Sequence, residues 1–285
     1  MHKNIFPVSL LYTPGMNVKN IFKAFDFGAD VCVFDLEDSV PDDSKSSVRE
    51  HLKNYLSSTK YNIYKAVRIN SIRCRDGLED ILFFIKNKVS PDIIIMTMIN
   101  SHEEVLILKE LLYESNSHSK VYVTIETTKA LSNIQRIASS CDGLILGSAD
   151  LAAFLKVDIT WENMLYARQV IVNAAATYDI SAIDTACYKL SGNEELKAEC
   201  YRVKELGFHG KVAIHPQQIK TINHIFYPDK NTMARASEIV SKFSENNNRI
   251  INLDGQMIGP PFVAKARWLL ERYGPSFDKK FDLGE

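Results

Sequence analysis

Eight short apolar runs separated by stretches of helical pattern set the limits on what this chain can fold into. They cover residues 8–13, 31–36, 64–69, 93–99, 121–125, 144–146, 182–184 and 212–215. Polar and apolar residues barely alternate within them. Each therefore reads as a strand buried on both faces, the pattern of parallel strands covered by helices. Between the runs, residues 161–178 and 194–206 carry strong helical patterns, and Gly207 closes the second like a C-cap. Ser101-His102-Glu103-Glu104 reads as a capping box ahead of a helix over 105–112. Residues 43–56 start with Asp and Ser suited to N-capping, and 18–27 place Ile21, Phe22 and Phe25 on one helical face.

This alternation predicts an α/β fold, a (β/α)8 TIM barrel over residues 1–226. An open doubly wound sheet fits less well, because the first turn, Thr13-Pro14-Gly15-Met16-Asn17, has no GxGxxG. Residues 227–285 exceed what a barrel needs. They read as C-terminal helices at 233–246 and 260–273 flanking a hairpin at Asp254-Gly255, with a polar, loosely held end from Gly274. Such an extension suits a lid or an oligomer arm, or extra packing on the barrel.

The 285 residues are 46% hydrophobic, enough for one barrel-sized core. A net charge of −1 with no basic stripe argues against a nucleic-acid partner. Cys32, Cys74, Cys141, Cys187 and Cys200 form no CxxC pair, so no disulfide framework or zinc site is indicated. A reducing cytoplasm fits that usage. No secretory leader and no bilayer-spanning apolar stretch of roughly 20 residues is read, so no membrane is expected.

Arg68, Glu126 and Asp150 each follow an apolar run. The carboxyl ends of barrel strands are where such folds carry their chemistry. Two carboxylates with waters and substrate oxygens suit Mg2+, with Mn2+ as a substitute, since these ions favour octahedral oxygen coordination. The same Glu and Asp also suit helix caps. Arg68 offers a planar fork for a carboxylate, or a salt bridge to Asp35, Glu37 or Asp38 across the barrel mouth. The three acids of Asp35-Leu36-Glu37-Asp38 are not expected all to face the centre, and Glu37 and Asp38 are favoured as acid or base. Asp184 and His215 close the last two runs, and His215 is either a proton carrier or a structural group. Lys65 and Lys211 are poorly placed for an imine, which favours a metal mechanism.

Taken together, several stretches resemble the HpcH/HpaI aldolase and citrate lyase β-subunit superfamily, in its citrate lyase β-like branch. They are Ser9-Leu10-Leu11-Tyr12-Thr13-Pro14-Gly15, Phe34-Asp35-Leu36-Glu37-Asp38-Ser39-Val40-Pro41, Val67-Arg68-Ile69-Asn70-Ser71 and Ile125-Glu126-Thr127. Gly147-Ser148-Ala149-Asp150-Leu151-Ala152, Gly207-Phe208-His209-Gly210-Lys211-Val212-Ala213-Ile214-His215-Pro216 and Leu253-Asp254-Gly255-Gln256-Met257-Ile258 complete the series. The resemblance implies a Mg2+-dependent lyase that cleaves or forms a carbon–carbon bond beside a 2-oxo or hydroxy carboxylate. It implies metal ligands at Glu126 and Asp150, and substrate contacts from Arg68 and from Gly147, Ser148 and Ala149. It also implies coenzyme A contacts near Pro14, Lys45 and Arg49 where a thioester is used, and a homo-oligomer, trimer or hexamer. An acyl-CoA lyase or thioesterase, of citryl-CoA, malyl-CoA or citramalyl-CoA type, and a non-catalytic carboxylate-binding paralogue are the alternatives.

Two departures from the family pattern stand out. The fourth strand commonly ends in a Pro-Lys-x-Glu-like string, whereas this chain has Thr97-Met98-Ile99-Asn100. The lid motif commonly has an Asp after Met-Ile, whereas this chain has Gly259. The second substitution removes the acid that thioester chemistry uses in CoA-lyase members.

Overall fold

The computed structural model describes residues 6–16, 23–57, 63–190 and 193–281, the last seven as backbone alone. Eight parallel strands close into one barrel in sequence order. They are β1 (Ser9–Pro14), β2 (Val31–Asp35), β3 (Tyr64–Arg68), β4 (Ile93–Met96), β5 (Lys120–Ile125), β6 (Gly143–Leu146), β7 (Ser181–Asp184) and β8 (Gly210–Ala213). Helices follow the strands: α1 (Lys45–Ser57), α2 (Arg75–Asn87), α3 (His102–Glu114), α4 (Thr128–Ser132), α5 (Ile134–Ala138), α6 (Ser148–Leu155), α7 (Trp161–Thr177), α8 (Glu194–Leu206) and α9 (Gln217–Phe226). The expected (β/α)8 TIM barrel is the fold.

The barrel interior is a packed layer of Leu10, Val31, Val33, Ala66, Ile93, Ile95, Tyr122, Ile145, Ile183 and Val212. Strand side chains alternate between faces, so the next inward positions toward the carboxyl ends are Tyr12, Asp35, Arg68 and Glu126. Parallel register then sets neighbours: Asp35 stands opposite Arg68, and Ile125 opposite Leu146.

The outward parity positions Asp184 and Lys211 lie between barrel and helices, and both are fully buried. Lys211 Nζ lies 2.6 Å from Asp184 Oδ2 and 3.0 Å from Glu199 Oε2, while Arg168 Nε donates to Asp184 Oδ1 at 2.8 Å. Burial works against charge here, but Lys211 and Arg168 outweigh it and hold the Asp184 carboxyl below its ordinary pKa. Lys211, expected just ahead of the eighth strand, lies within β8. Asp184 is a structural anion there, not a group at the barrel mouth.

Some element bounds differ from expectation. The fourth strand stops at Met96 because Met98 takes a left-handed backbone, φ 54°. The capping box forms, with Glu104 accepting from the Ser101 N–H, and α3 runs longer than expected at both ends. In the expected helix at 18–27, residues 18–22 lie outside the described residues, and Phe25–Phe27 is a single 3-10 turn.

Contacts divide the chain into Met1–Phe226 and Tyr227–Glu285. The second unit holds α10 (Lys230–Glu245), a hairpin of β9 (Ile251–Leu253) and β10 (Gln256–Ile258), and α11 (Pro260–Phe281). Asp254 and Gly255, at φ 51° and 82°, make the hairpin turn. Phe243, Leu253, Ile258 and Val263 form its small core. The final helix passes through Gly274-Pro275, where a loose end was expected. Among the described residues, no helix is long and apolar enough to cross a membrane.

Candidate active site

The mouth of the barrel is built around Arg68. Its Nε and Nη2 donate to the two carboxylate oxygens of Asp35, each at 2.7 Å, a bidentate fork across neighbouring strands. Nη1 lies 2.8 Å from Glu37 Oε2 and donates to Asp38 Oδ2 at 3.0 Å. All three acids of the second strand's end therefore reach Arg68, with Asp38 doing so from an exposed position. Asp35 does so from the strand itself, Glu37 and Asp38 from the turn that follows. The Tyr12 ring lies 5.3 Å from the guanidinium, so the cation is stacked as well as forked.

Glu126 follows β5 and is buried at 3% exposure. Its Oε1 accepts the Met98 N–H at 2.5 Å. Burial, and then the charges of Glu37 and Asp150, push this carboxyl up to about 8. Burial likewise pushes Glu37 up to about 7, against the opposing pull of Arg68. Asp150, in the first turn of α6, is also raised, by desolvation and the Asp38 charge. Arg68 alone does not neutralise this group of acids. The raised values of Glu126, Glu37 and Asp150 come first from burial and then from mutual repulsion, both of which a divalent cation would offset.

Glu126 and Asp150 have the hard oxygen chemistry that Mg2+ prefers. No cluster of three or more His, Cys, Asp or Glu able to hold a metal occurs among the described residues, so an ion held by Glu126 and Asp150 would take its other ligands from water and substrate oxygens. Gly147 makes the geometry attainable. A Cβ there would stand 2.6 Å from Glu126 Cβ and 2.7 Å from its Oε2.

Ser148 is fully buried, and its hydroxyl pairs with Thr185 Oγ1 at 2.8 Å and lies 3.5 Å from the Tyr188 hydroxyl. The Gly147 N–H is taken by the Ile125 carbonyl at 3.1 Å, so the first turn of α6 offers a ligand the N–H groups of Ser148 and Ala149, with no free serine hydroxyl. Pro14 is exposed at the end of β1. Lys45 is buried and donates to Asn70 Oδ1. Arg49 is held by Asp80 at 2.7 Å, Glu79 at 2.8 Å and Asp76 at 2.7 Å. Both cations are committed inside the fold, and a phosphate on Arg49 would have to displace a carboxylate. His215 Nδ1 accepts the Gln217 N–H at 3.3 Å, so it caps α9.

Sequence reasoning missed the primacy of Asp35 and the stacking of Tyr12. Tyr12 was readable, being two residues beyond Leu10 on the same strand face. The Asp35 fork was not, because it depends on register between strands.

Residues 8–216 match the HpcH/HpaI aldolase/citrate lyase family. The citrate lyase subunit beta of Haemophilus influenzae is 29% identical over 280 residues, covering 93% of this chain and 96% of that protein. A (3S)-malyl-CoA thioesterase of Cereibacter sphaeroides is 26% identical over 272 residues, covering 93% of each. Among solved structures, protein CitE from Mycobacterium tuberculosis, in complex with magnesium, acetoacetate and coenzyme A, superposes with a TM-score of 0.78 at 23% identity, covering 95% of this chain and all of that one. Both curated relatives are matched along nearly their whole length, and the family match spans the barrel and every mouth residue described above. This chain belongs to the HpcH/HpaI aldolase/citrate lyase family of enzymes.

Proposed function

We propose that this protein is a Mg2+-dependent carbon–carbon lyase acting beside a 2-oxo or hydroxy carboxylate, such as an oxaloacetate-, pyruvate- or glyoxylate-like unit. The observation that carries the reading is the placement of the buried Glu126 carboxylate, fixed by the Met98 N–H, on the same barrel rim as the Arg68 fork held by Asp35. Glu126 and Asp150 would hold the ion, which supplies Lewis-acid polarisation of an adjacent carbonyl oxygen.

The chain's own groups do the rest. Asp35 occupies one edge of the Arg68 fork and fixes its aim. Glu37 and Asp38 hold the other edge; Asp38 is 71% exposed on its side chain, so a substrate carboxylate displaces it at little cost and shares that edge with Glu37. Glu37, titrating near 7, holds or releases a proton close to that edge. First-turn N–H groups of α6 give a second anchor for negative charge.

A thioesterase or acyl-CoA lyase is the second reading, favoured by the malyl-CoA thioesterase relative. The engagement of Lys45 and Arg49 and the glycine at 259 weigh against it. The C-terminal unit exposes Ile250, Met257 and Phe262, which supports a role as lid or arm in a homo-oligomer, trimer or hexamer.

The deciding experiment is a cleavage screen of 2-hydroxy acids and hydroxyacyl-CoA thioesters with Mg2+, reading 2-oxo acid and free thiol together. The lyase reading expects carbon–carbon cleavage that Glu37→Gln slows by about 100-fold, the usual scale of a lost acid–base group. Thiol release without cleavage would select the thioesterase reading.

A further inference from the structure

Next to the Arg68–Glu126 centre lies a cleft of about 250 Å³ lined by Arg73, Asn100, Thr127, Thr128, Lys129 and Phe154. Three links tie it to the metal pair. Met98 donates its N–H to Glu126 and accepts on its carbonyl from Arg73 Nη2, so one left-handed residue separates the two sites. Thr127 to Lys129 directly follow Glu126 in the chain. Phe154 lies one helical turn beyond Asp150 on α6, on the same face.

The chemistry of this lining is distinctive. It holds two cations, Arg73 and Lys129, and Glu104 Oε2 lies 3.6 Å from Arg73 Nε. Among the described residues no partner is found for Lys129 Nζ. Thr127 donates its one hydroxyl proton to the Ile99 carbonyl at 2.9 Å and lies 3.1 Å from the Asn100 side-chain amide. Phe154 adds an apolar wall, 49% exposed. The volume is below the usual range for a drug-sized ligand, so the cleft suits a short anionic arm better than a nucleotide.

The geometry points to Arg73 and Lys129 as a second anion subsite that reads the distal carboxylate of a dicarboxylic substrate, whose 2-oxo acid end sits at Arg68, Glu126 and Asp150. This rests on the function proposed above and narrows its substrate class to dicarboxylates with a short chain between the acid groups. Arg73 takes the distal carboxylate from its fixed place on the Met98 carbonyl, Lys129 adds charge from the rim, and Phe154 covers the intervening carbons.

Titration calorimetry with Mg2+ tests this, using pyruvate, oxaloacetate and 2-oxoglutarate as probes. Wild type is expected to bind at least one of the two dicarboxylates at least about tenfold tighter than pyruvate, the scale of one charge-assisted hydrogen bond. Lys129→Met should erase most of that preference and leave pyruvate binding unchanged, and Arg73→Lys should keep part of it. The exposed Lys129 side chain has no partner among the described residues, so the variant keeps the test sound. Equal loss for both probe classes, or no preference in wild type that binds pyruvate, overturns the subsite alone. Loss of coenzyme A binding with unchanged 2-oxo acid binding would make the cleft a phosphate site and overturn the carboxylate assignment. Failure of wild type to bind any 2-oxo acid with Mg2+ overturns the central-site reading, and this one with it.

Discussion

Gly147 and Glu126 divide one space between them: a Cβ at 147 would lie 2.7 Å from Glu126 Oε2. The Gly147→Ala variant must therefore push the carboxylate aside or strain β6. We expect a stability loss of about 1–3 kcal/mol, the range for overpacking a buried position. Mg2+ affinity should fall more than stability does, which parallel denaturant melts and Mg2+ titrations would show. An unchanged Mg2+ affinity would remove Glu126 from the metal site.

The Glu126 carboxyl titrates near 8, so it is largely protonated at pH 6 and must lose its proton to ligate. Mg2+ affinity is expected to rise from pH 6 to about 8 and level off above it, with proton release on binding. Calorimetry in buffers of different ionisation enthalpy measures that release. Release of no protons at pH 6.5 contradicts the assignment.

The strand pattern, the barrel, the hairpin at Asp254-Gly255 and the rim positions of Arg68, Glu126 and Asp150 were all legible in the sequence. Each rests on local periodicity or turn chemistry. What periodicity cannot show is pairing between strands, so Asp35 was ranked below Glu37 and Asp38 although it holds Arg68 most directly. The Met98 turn was hidden for a related reason. A left-handed methionine is set by its Glu126 and Arg73 partners, not by its own preference. The family resemblance places Lys45 and Arg49 near a coenzyme A phosphate, and only three-dimensional neighbours show Lys45 bonded to Asn70 and Arg49 paired with Asp76, Glu79 and Asp80.

Lys211 and Asp184 make a further prediction. Lys211→Met leaves Asp184 buried with Arg168 alone, and breaking a buried pair costs about 3–5 kcal/mol. Asp184 has a lowered folded pKa, so its contribution is present above about pH 3.9 and disappears as pH falls through the lower value. Lys211 is raised against the opposing effect of burial, chiefly by Asp184, so its contribution is present below about pH 10.4 and disappears as pH rises through the raised value. The stability gap between wild type and variant should be flat from pH 5 to 9 and shrink at both extremes. Borohydride with a 2-oxo acid should trap no adduct on this lysine.

Gly259 has room for a side chain, its nearest neighbours at Cβ distance being Ile250 Cγ1 at 3.8 Å and Pro261 Cδ at 3.9 Å. Gly259→Asp should fold with a stability change within about 0.5 kcal/mol. It should raise cleavage of short hydroxyacyl-CoA thioesters if the missing acid is what limits that chemistry. Robust thioester cleavage by the unmodified protein would show that Gly259 excludes nothing.

The central claim is that Glu126, with Asp150 and a bound Mg2+, forms the pocket where Arg68 receives a 2-oxo carboxylate. Titration calorimetry of oxaloacetate into the wild type and Glu126→Gln, each with and without Mg2+, tests it most directly. The account predicts tight binding only for wild type with Mg2+, and at least about tenfold weaker binding in the other three conditions, the scale of a lost charge-assisted contact. Equal binding in all four would contradict it.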